Sequence, residues 1–110
     1  QTAKEQYDVV ILDPPAFTKT RSAVEGALRG YKEINLRGMK LTRDGGFFIT
    51  CSCSQHVTPD LFRGMLLEAQ KDAHVQLRQI EWRTQGRDHP ILLASPETQY
   101  LKCGIFQVFK

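Results

Sequence analysis

The stretch Tyr7-Asp8-Val9-Val10-Ile11-Leu12-Asp13-Pro14-Pro15 constrains this chain more than any other. Tyr7, Val9, Val10, Ile11 and Leu12 form a short, β-branched apolar run. Such a run, cut off by turn residues, reads as a strand buried on both faces, as in the middle of a parallel sheet. The two prolines remove backbone donors and keep the chain from continuing as strand or passing at once into helix. Asp13 is therefore expected at the carboxyl end of a central strand, on the crevice where open α/β sheets bind their ligands. An aspartate that merely opens a turn is the simpler reading of the same residues, because Asp and Pro dominate turns.

Downstream, Leu28, Tyr31, Ile34 and Leu41 share one helical face and predict a helix over roughly Val24 to Leu41. Arg43-Asp44-Gly45-Gly46 is expected to break it, with glycine where a helix end needs positive φ. Phe47 to Ser54 reads as a second strand, apolar at first and then small and polar. Thr58-Pro59-Asp60 is a helix start: a capping hydroxyl, a proline in the first turn and an acid near the amino-terminal dipole. Phe62, Met65, Leu66, Ala69 and Ala73 follow as its buried stripe. Val75 to Arg83 and Leu101 to Phe109 complete the strands, separated by a long connection, Thr84 to Tyr100, of the kind that often carries function.

Strand–helix alternation of this kind implies an α/β fold of parallel strands joined by right-handed crossovers. The last strand arrives without a helix before it and is expected to run antiparallel. A first strand buried on both faces also needs neighbours on both sides, yet nothing upstream in these 110 residues supplies one. Its edge is open, and the sheet reads as half of a larger one. A second copy pairing along that edge would give a homodimer.

Composition narrows the function classes. With 41% hydrophobic residues the chain suits one modest globular domain. It has no apolar run of membrane-spanning length and no signal-peptide pattern at its start. Three cysteines, an odd number, fit a reducing compartment such as the cytoplasm better than a disulfide framework. The net charge of +3 is too small to declare nucleic-acid binding. Its distribution says more. From Lys19 to Arg43 there are seven basic residues against two acidic ones, Glu25 and Glu33. Beside the Asp13 crevice that segment would meet phosphates, although a merely solvated helix face has the same composition.

Cys51-Ser52-Cys53-Ser54 ends the second strand, next in a parallel sheet to the strand ending in Asp13. Neighbouring strands lie about 4.8 Å apart, so a thiol and a carboxylate would share one crevice. Three readings of these cysteines stay open: a nucleophile whose thiolate is favoured by its surroundings, a pair of small buried hydrophobes, or a zinc site built on Cys51, Cys53 and His56 that lacks a fourth ligand.

Asp13-Pro14-Pro15-Ala16-Phe17, Leu28-Arg29-Gly30-Tyr31-Lys32-Glu33-Ile34-Asn35, Thr50-Cys51-Ser52-Cys53-Ser54, Asp88-His89-Pro90 and Pro96-Glu97-Thr98-Gln99-Tyr100-Leu101-Lys102 resemble, in order, one family. It is the class I S-adenosyl-L-methionine-dependent RNA methyltransferases of the ribosomal RNA large-subunit methyltransferase I type. These make 5-methylcytosine in ribosomal RNA. The resemblance runs from about Tyr7 to Phe109.

The resemblance implies a Rossmann-like methyltransferase sheet, S-adenosyl-L-methionine as cofactor and ribosomal RNA as partner. It places the family's Asp-Pro-Pro motif on Asp13, Pro14 and Pro15, bordering both methyl donor and target base. It puts the cytosine-attacking cysteine on Cys53, with Cys51 one step back on the same side and packing. Asp13 would stabilise the charge that develops on the base. Phe17, Lys19 and Arg21 would meet the RNA substrate. Ala16 stands where many members have lysine, and the acceptor of the carbon 5 proton has no assignment. The family's glycine-rich donor loop and ribose-binding acid have no counterpart in these residues. Residues 1–110 are therefore expected to be the carboxyl-terminal part of a catalytic domain, inactive alone. A guanine-directed enzyme of the same fold, or a non-catalytic fragment that self-associates, are the alternatives. His89 reads as a turn residue, Trp82 as packing, and Tyr100 and Lys102 as either structural or RNA-contacting.

Overall fold

The computed structural model describes residues 5–14, 24–53, 57–83 and 102–110. Strand β1 (Tyr7–Leu12) leads to helix α1 (Val24–Leu41), strand β2 (Thr42–Ser52), helix α2 (Pro59–Ala73), and strands β3 (Gln76–Arg83) and β4 (Lys102–Phe109). The four strands form one sheet in the order β1-β2-β4-β3. β1 and β2 pair in parallel, while β4 is antiparallel to both β2 and β3. Three strands thus run one way and the last runs against them, as expected, but β4 is inserted between β2 and β3.

α1 has the predicted bounds. Its buried face is centred on Ala27, Tyr31, Asn35, Gly38 and Met39, so it includes a polar residue and a glycine that hydrophobic periodicity passes over. Gly38 is there for close approach: a Cβ would stand 2.7 Å from Phe48 Cε1 and 2.9 Å from Leu12 Cδ1. The opposite side of the helix is polar, with Arg37 Nη2 on Glu33 Oε1 at 2.9 Å, one turn apart. Thr58 caps α2, its hydroxyl accepting from the Leu61 N–H at 3.2 Å, with Pro59 in the first turn. His74 closes that helix in the left-handed conformation at φ 57, its N–H reaching the Gln70 and Lys71 carbonyls.

Both helices lie on one face of the sheet. Phe62 of α2 meets Tyr31 of α1 edge-on at 6.0 Å, and Phe48, Phe106 and Val108 face them from the strands. Lys32 Nζ and Asp72 Oδ2 join the helices at 2.7 Å.

Two expectations are corrected. β1 is not buried on both faces: Val10 and Leu12 pack against the core, while Tyr7, Val9 and Ile11 are 49%, 51% and 63% exposed. The helices that bury its inner side stand on one face only, and among the described residues none covers the other. The second strand also starts at Thr42 and not at Phe47. Thr42 Oγ1 donates to the Gly38 carbonyl at 2.9 Å, so helix passes directly into strand. The glycines that were to end the helix lie instead in an irregularity of β2. There the pairing slips from Tyr7–Thr42 to Val9–Phe47, and Gly45 takes φ 82.

Candidate active site

The carboxyl ends of β1 and β2 and the amino end of β4 meet at one rim of the sheet. Leu12 pairs with Thr50, Cys51 with Cys103, and Ser52 with Lys102. Asp13 follows directly on β1 and Cys53 on β2, and both are exposed. This register brings together the two residues the sequence singled out.

Strand β2 is held here by polar contacts from α1. Thr50 Oγ1 donates to Asn35 Oδ1, and Asn35 Nδ2 donates to the Tyr31 carbonyl at 2.7 Å. One pleat further, Ser52 Oγ donates to the Tyr31 hydroxyl at 3.1 Å. Tyr31, Asn35, Thr50 and Ser52 are fully buried, so these bonds form where water does not compete and fix the strand on which Cys53 follows. Alternation turns Cys51 away from this helix-facing side, toward Cys103 on the neighbouring strand.

The electrostatics separate the two cysteines. Burial pushes the Cys51 thiol far above the ordinary thiol range, and Cys103, Asp13 and Cys53 push it further. Cys51 is thus kept as a neutral thiol, in keeping with a packing role. The Cys53 thiol is raised too, first by partial burial and then by the Asp13 carboxylate, but the Lys102 cation opposes that rise. Lys102 is fully buried. Burial pushes its ammonium down to about 8, and the Cys53 charge acts in the other direction. Chemically, the rim offers an exposed thiol, a hydrogen-bond-accepting carboxylate and a buried cation.

All three cysteines are free thiols. Among the described residues no group of three His, Cys, Asp or Glu side chains is placed to hold a metal ion. Pro14 is half-buried behind Asp13. Pro15, Ala16, Phe17, Lys19, Arg21, Ser54, His56, His89 and Tyr100 lie outside the described residues. Trp82 is a packing residue as expected, against Phe62 at 6.1 Å and under the Arg63 guanidinium at 4.3 Å. Sequence reasoning left Lys102 undecided and gave Cys103 no role. The signal available was their place at the start of an alternating strand, which becomes informative only once that strand is known to lie beside β2. Asn35 and Thr50 gave no signal as a pair.

Comparison with known proteins supports the resemblance. The chain is 43% identical over 105 residues to a Methanocaldococcus jannaschii protein named as a ribosomal RNA large subunit methyltransferase, MJ1649, covering 96% of this chain and 27% of that protein. It is 42% identical over 98 residues to ribosomal RNA large subunit methyltransferase I of Escherichia coli, covering 89% of this chain and 25% of the relative. The chain therefore spans about a quarter of the length of these relatives. Among solved structures, SMU.776, described as a methyltransferase complexed with SAH, superposes with a TM-score of 0.77 at 17% identity over 94% of this chain and 26% of its own. Trm5b from Pyrococcus abyssi does so with a TM-score of 0.61 at 13% identity, over 97% and 27%. At these identities the likeness is one of fold, and the fold is that of a Rossmann-like methyltransferase sheet. No family model matches the chain.

Proposed function

We propose that this chain, homologous along most of its length to part of the large-subunit ribosomal RNA methyltransferases, carries the catalytic end of an enzyme that makes 5-methylcytosine in ribosomal RNA. The observation that carries the proposal is the meeting of Asp13 and Cys53 at one sheet rim, with β1 and β2 paired through Leu12 and Thr50. A carboxylate beside an exposed thiol is what addition to a pyrimidine ring requires. The Cys53 thiolate adds to carbon 6 of cytosine, which makes carbon 5 nucleophilic. Asp13 hydrogen-bonds the ring nitrogen or exocyclic amine of the base, where charge develops on addition. Methyl transfer to carbon 5 leaves S-adenosylhomocysteine. A base, to which no residue here is assigned, then takes the carbon 5 proton, and that electron pair re-forms the ring double bond and expels the Cys53 thiolate.

S-adenosyl-L-methionine supplies the methyl group when bound. The exposed Asp13 carboxylate and the Pro14 ring suit one wall of its site, with Pro15 next in sequence. The rest of that site would come from residues outside these 110. In this reading the chain is the carboxyl-terminal part of one catalytic domain. Two facts support it: the exposed apolar outer side of β1, and a match to only about a quarter of each relative. Phe17, Lys19 and Arg21 follow the Asp-Pro-Pro motif and are assigned to RNA contact, and the cytoplasm is the setting.

The test uses the complete protein and RNA carrying 5-azacytidine, in which the adduct to a cysteine enzyme cannot resolve. Wild type is expected to form a covalent protein–RNA species resistant to denaturant, and Cys53→Ala none. No adduct from wild type, with methyl transfer to guanine instead, would replace the cytosine reading with the guanine-directed one.

A further inference from the structure

A lysine with no exposed surface is unusual, because its charge must be removed from water. Lys102 is such a residue, and it pairs in register with Ser52, the residue immediately before Cys53. Among the described residues the Asp13 carboxylate beside Cys53 opposes formation of the thiolate that the proposed reaction needs. Among the described residues Lys102 is the cation acting on the Cys53 thiol. We infer that Lys102 is the positioning residue of the nucleophile: its buried ammonium is the counter-charge that lets the Cys53 thiolate exist beside the Asp13 carboxylate.

The inference rests on the reading of Cys53 as nucleophile and assigns a residue which that reading leaves without a role. The register makes it specific. β4 runs antiparallel to β2, so its first residue arrives where β2 ends, and strand pairing fixes the Lys102 backbone opposite the residue that precedes Cys53. Burial strengthens its effect, since a charge in a low-dielectric surrounding is poorly screened. The electrostatics agree, for Lys102 lowers the Cys53 thiol while Cys53 raises the Lys102 ammonium.

Other groups at the rim act differently. Asp13 after β1 and Cys103 on β4 push the Cys53 thiol up. Cys51 on β2 remains a neutral thiol under burial. From α1, the Tyr31 hydroxyl is on Ser52. From α2, Arg63 lies over the Trp82 ring, and Arg83 of β3 is held by Glu81.

The experiment measures the alkylation rate of Cys53 by iodoacetamide as a function of pH, resolved from Cys51 and Cys103 by tandem mass spectrometry. It compares wild type with Lys102→Met and Lys102→Arg. Methionine keeps the buried stem without the charge, and the midpoint for Cys53 is expected to rise by about one pH unit, on the order of tenfold less thiolate at neutral pH. Arginine should keep the wild-type midpoint. A Lys102→Met midpoint equal to that of wild type, or a Lys102→Arg midpoint that rises with it, would overturn the inference.

Should Lys102→Met fail to fold, the reciprocal measurement decides. NMR titration of labelled Lys102 in Cys53→Ser is expected to give a lower pKa than in wild type, and an unchanged one refutes the coupling. Neither readout needs RNA or methyl donor. A failed 5-azacytidine adduct with a positive alkylation shift would therefore count against the cytosine reading alone.

Discussion

Replacing Asn35 by leucine tests how strand β2 is held beside α1. Asn35 and Thr50 are both fully buried, and the Thr50 hydroxyl donates to Asn35 Oδ1. Leucine at position 35 takes that acceptor away and leaves the hydroxyl inside the core, which costs about 1–3 kcal/mol. It also removes the bond from Asn35 Nδ2 to the Tyr31 carbonyl. That carbonyl lies one helical turn back and keeps its main-chain partner, so the added loss is small. The expected sum is about 2–3 kcal/mol. Thr50→Val leaves Asn35 Oδ1 without its donor and is expected to cost about 1–2 kcal/mol.

In Asn35→Leu/Thr50→Val neither orphan remains, and the double variant should be scarcely worse than Asn35→Leu alone. The double-mutant cycle therefore predicts a coupling of about 1–2 kcal/mol, read from urea midpoints at constant m. Single effects that add to within about 0.5 kcal/mol would refute the reasoning, because the pair would then not be one buried bond. Since Thr50 lies in the strand that ends at Cys53, Asn35→Leu should also slow adduct formation on 5-azacytidine RNA without changing the pH midpoint of Cys53.

Four further outcomes are expected. Thr58→Ala removes the cap of α2 and should lower stability by about 1 kcal/mol, whereas Thr58→Asp should restore most of it, both read from thermal melts. Asp72 is held below the usual carboxylate range by hydrogen bonding to Lys32. Its contribution is therefore present above the ordinary carboxylate pKa and is lost as pH falls through the lowered one, so the urea midpoints of wild type and Asp72→Asn should converge in acid. For Lys102, burial pushes the folded pKa down to about 8, below the ordinary lysine value of 10.5, so the unfolded chain binds the extra proton between them. The stability of wild type relative to Lys102→Met should rise with pH across that window, and a flat difference would contradict the burial of the ammonium. Calorimetric titration of the 110-residue chain with S-adenosyl-L-methionine should give no detectable heat, and one-to-one binding would show that the chain holds a donor site of its own.

Local signals settled much of the fold in advance. The bounds of α1 follow from the spacing of its apolar residues, and the start of α2 from Thr58-Pro59-Asp60. The end of β1 follows from two prolines that no strand interior tolerates. Each of these is decided by residues within a turn or two of one another, so the chain need not be folded for them to be read. The resemblance to ribosomal RNA methyltransferases was likewise legible, because its motifs are short, and their order is a property of the sequence.

What the sequence could not decide depends on strands meeting across long separations. The register of β2 against β4 sets Lys102 beside Ser52 and Cys103 beside Cys51, and nothing local to either segment specifies it. The same holds for Asn35, a polar residue on an otherwise apolar helix face, whose burial makes sense only opposite Thr50. The two-sided burial expected of β1 failed for a related reason. An apolar strand records that its side chains suit a dry surface, but whether each face is covered depends on which helices lie there. Here α1 and α2 are on one face, and Val9 and Ile11 remain on the other. Composition and periodicity thus determined the elements and the residue types available for chemistry, while tertiary pairing decided which of them share a rim.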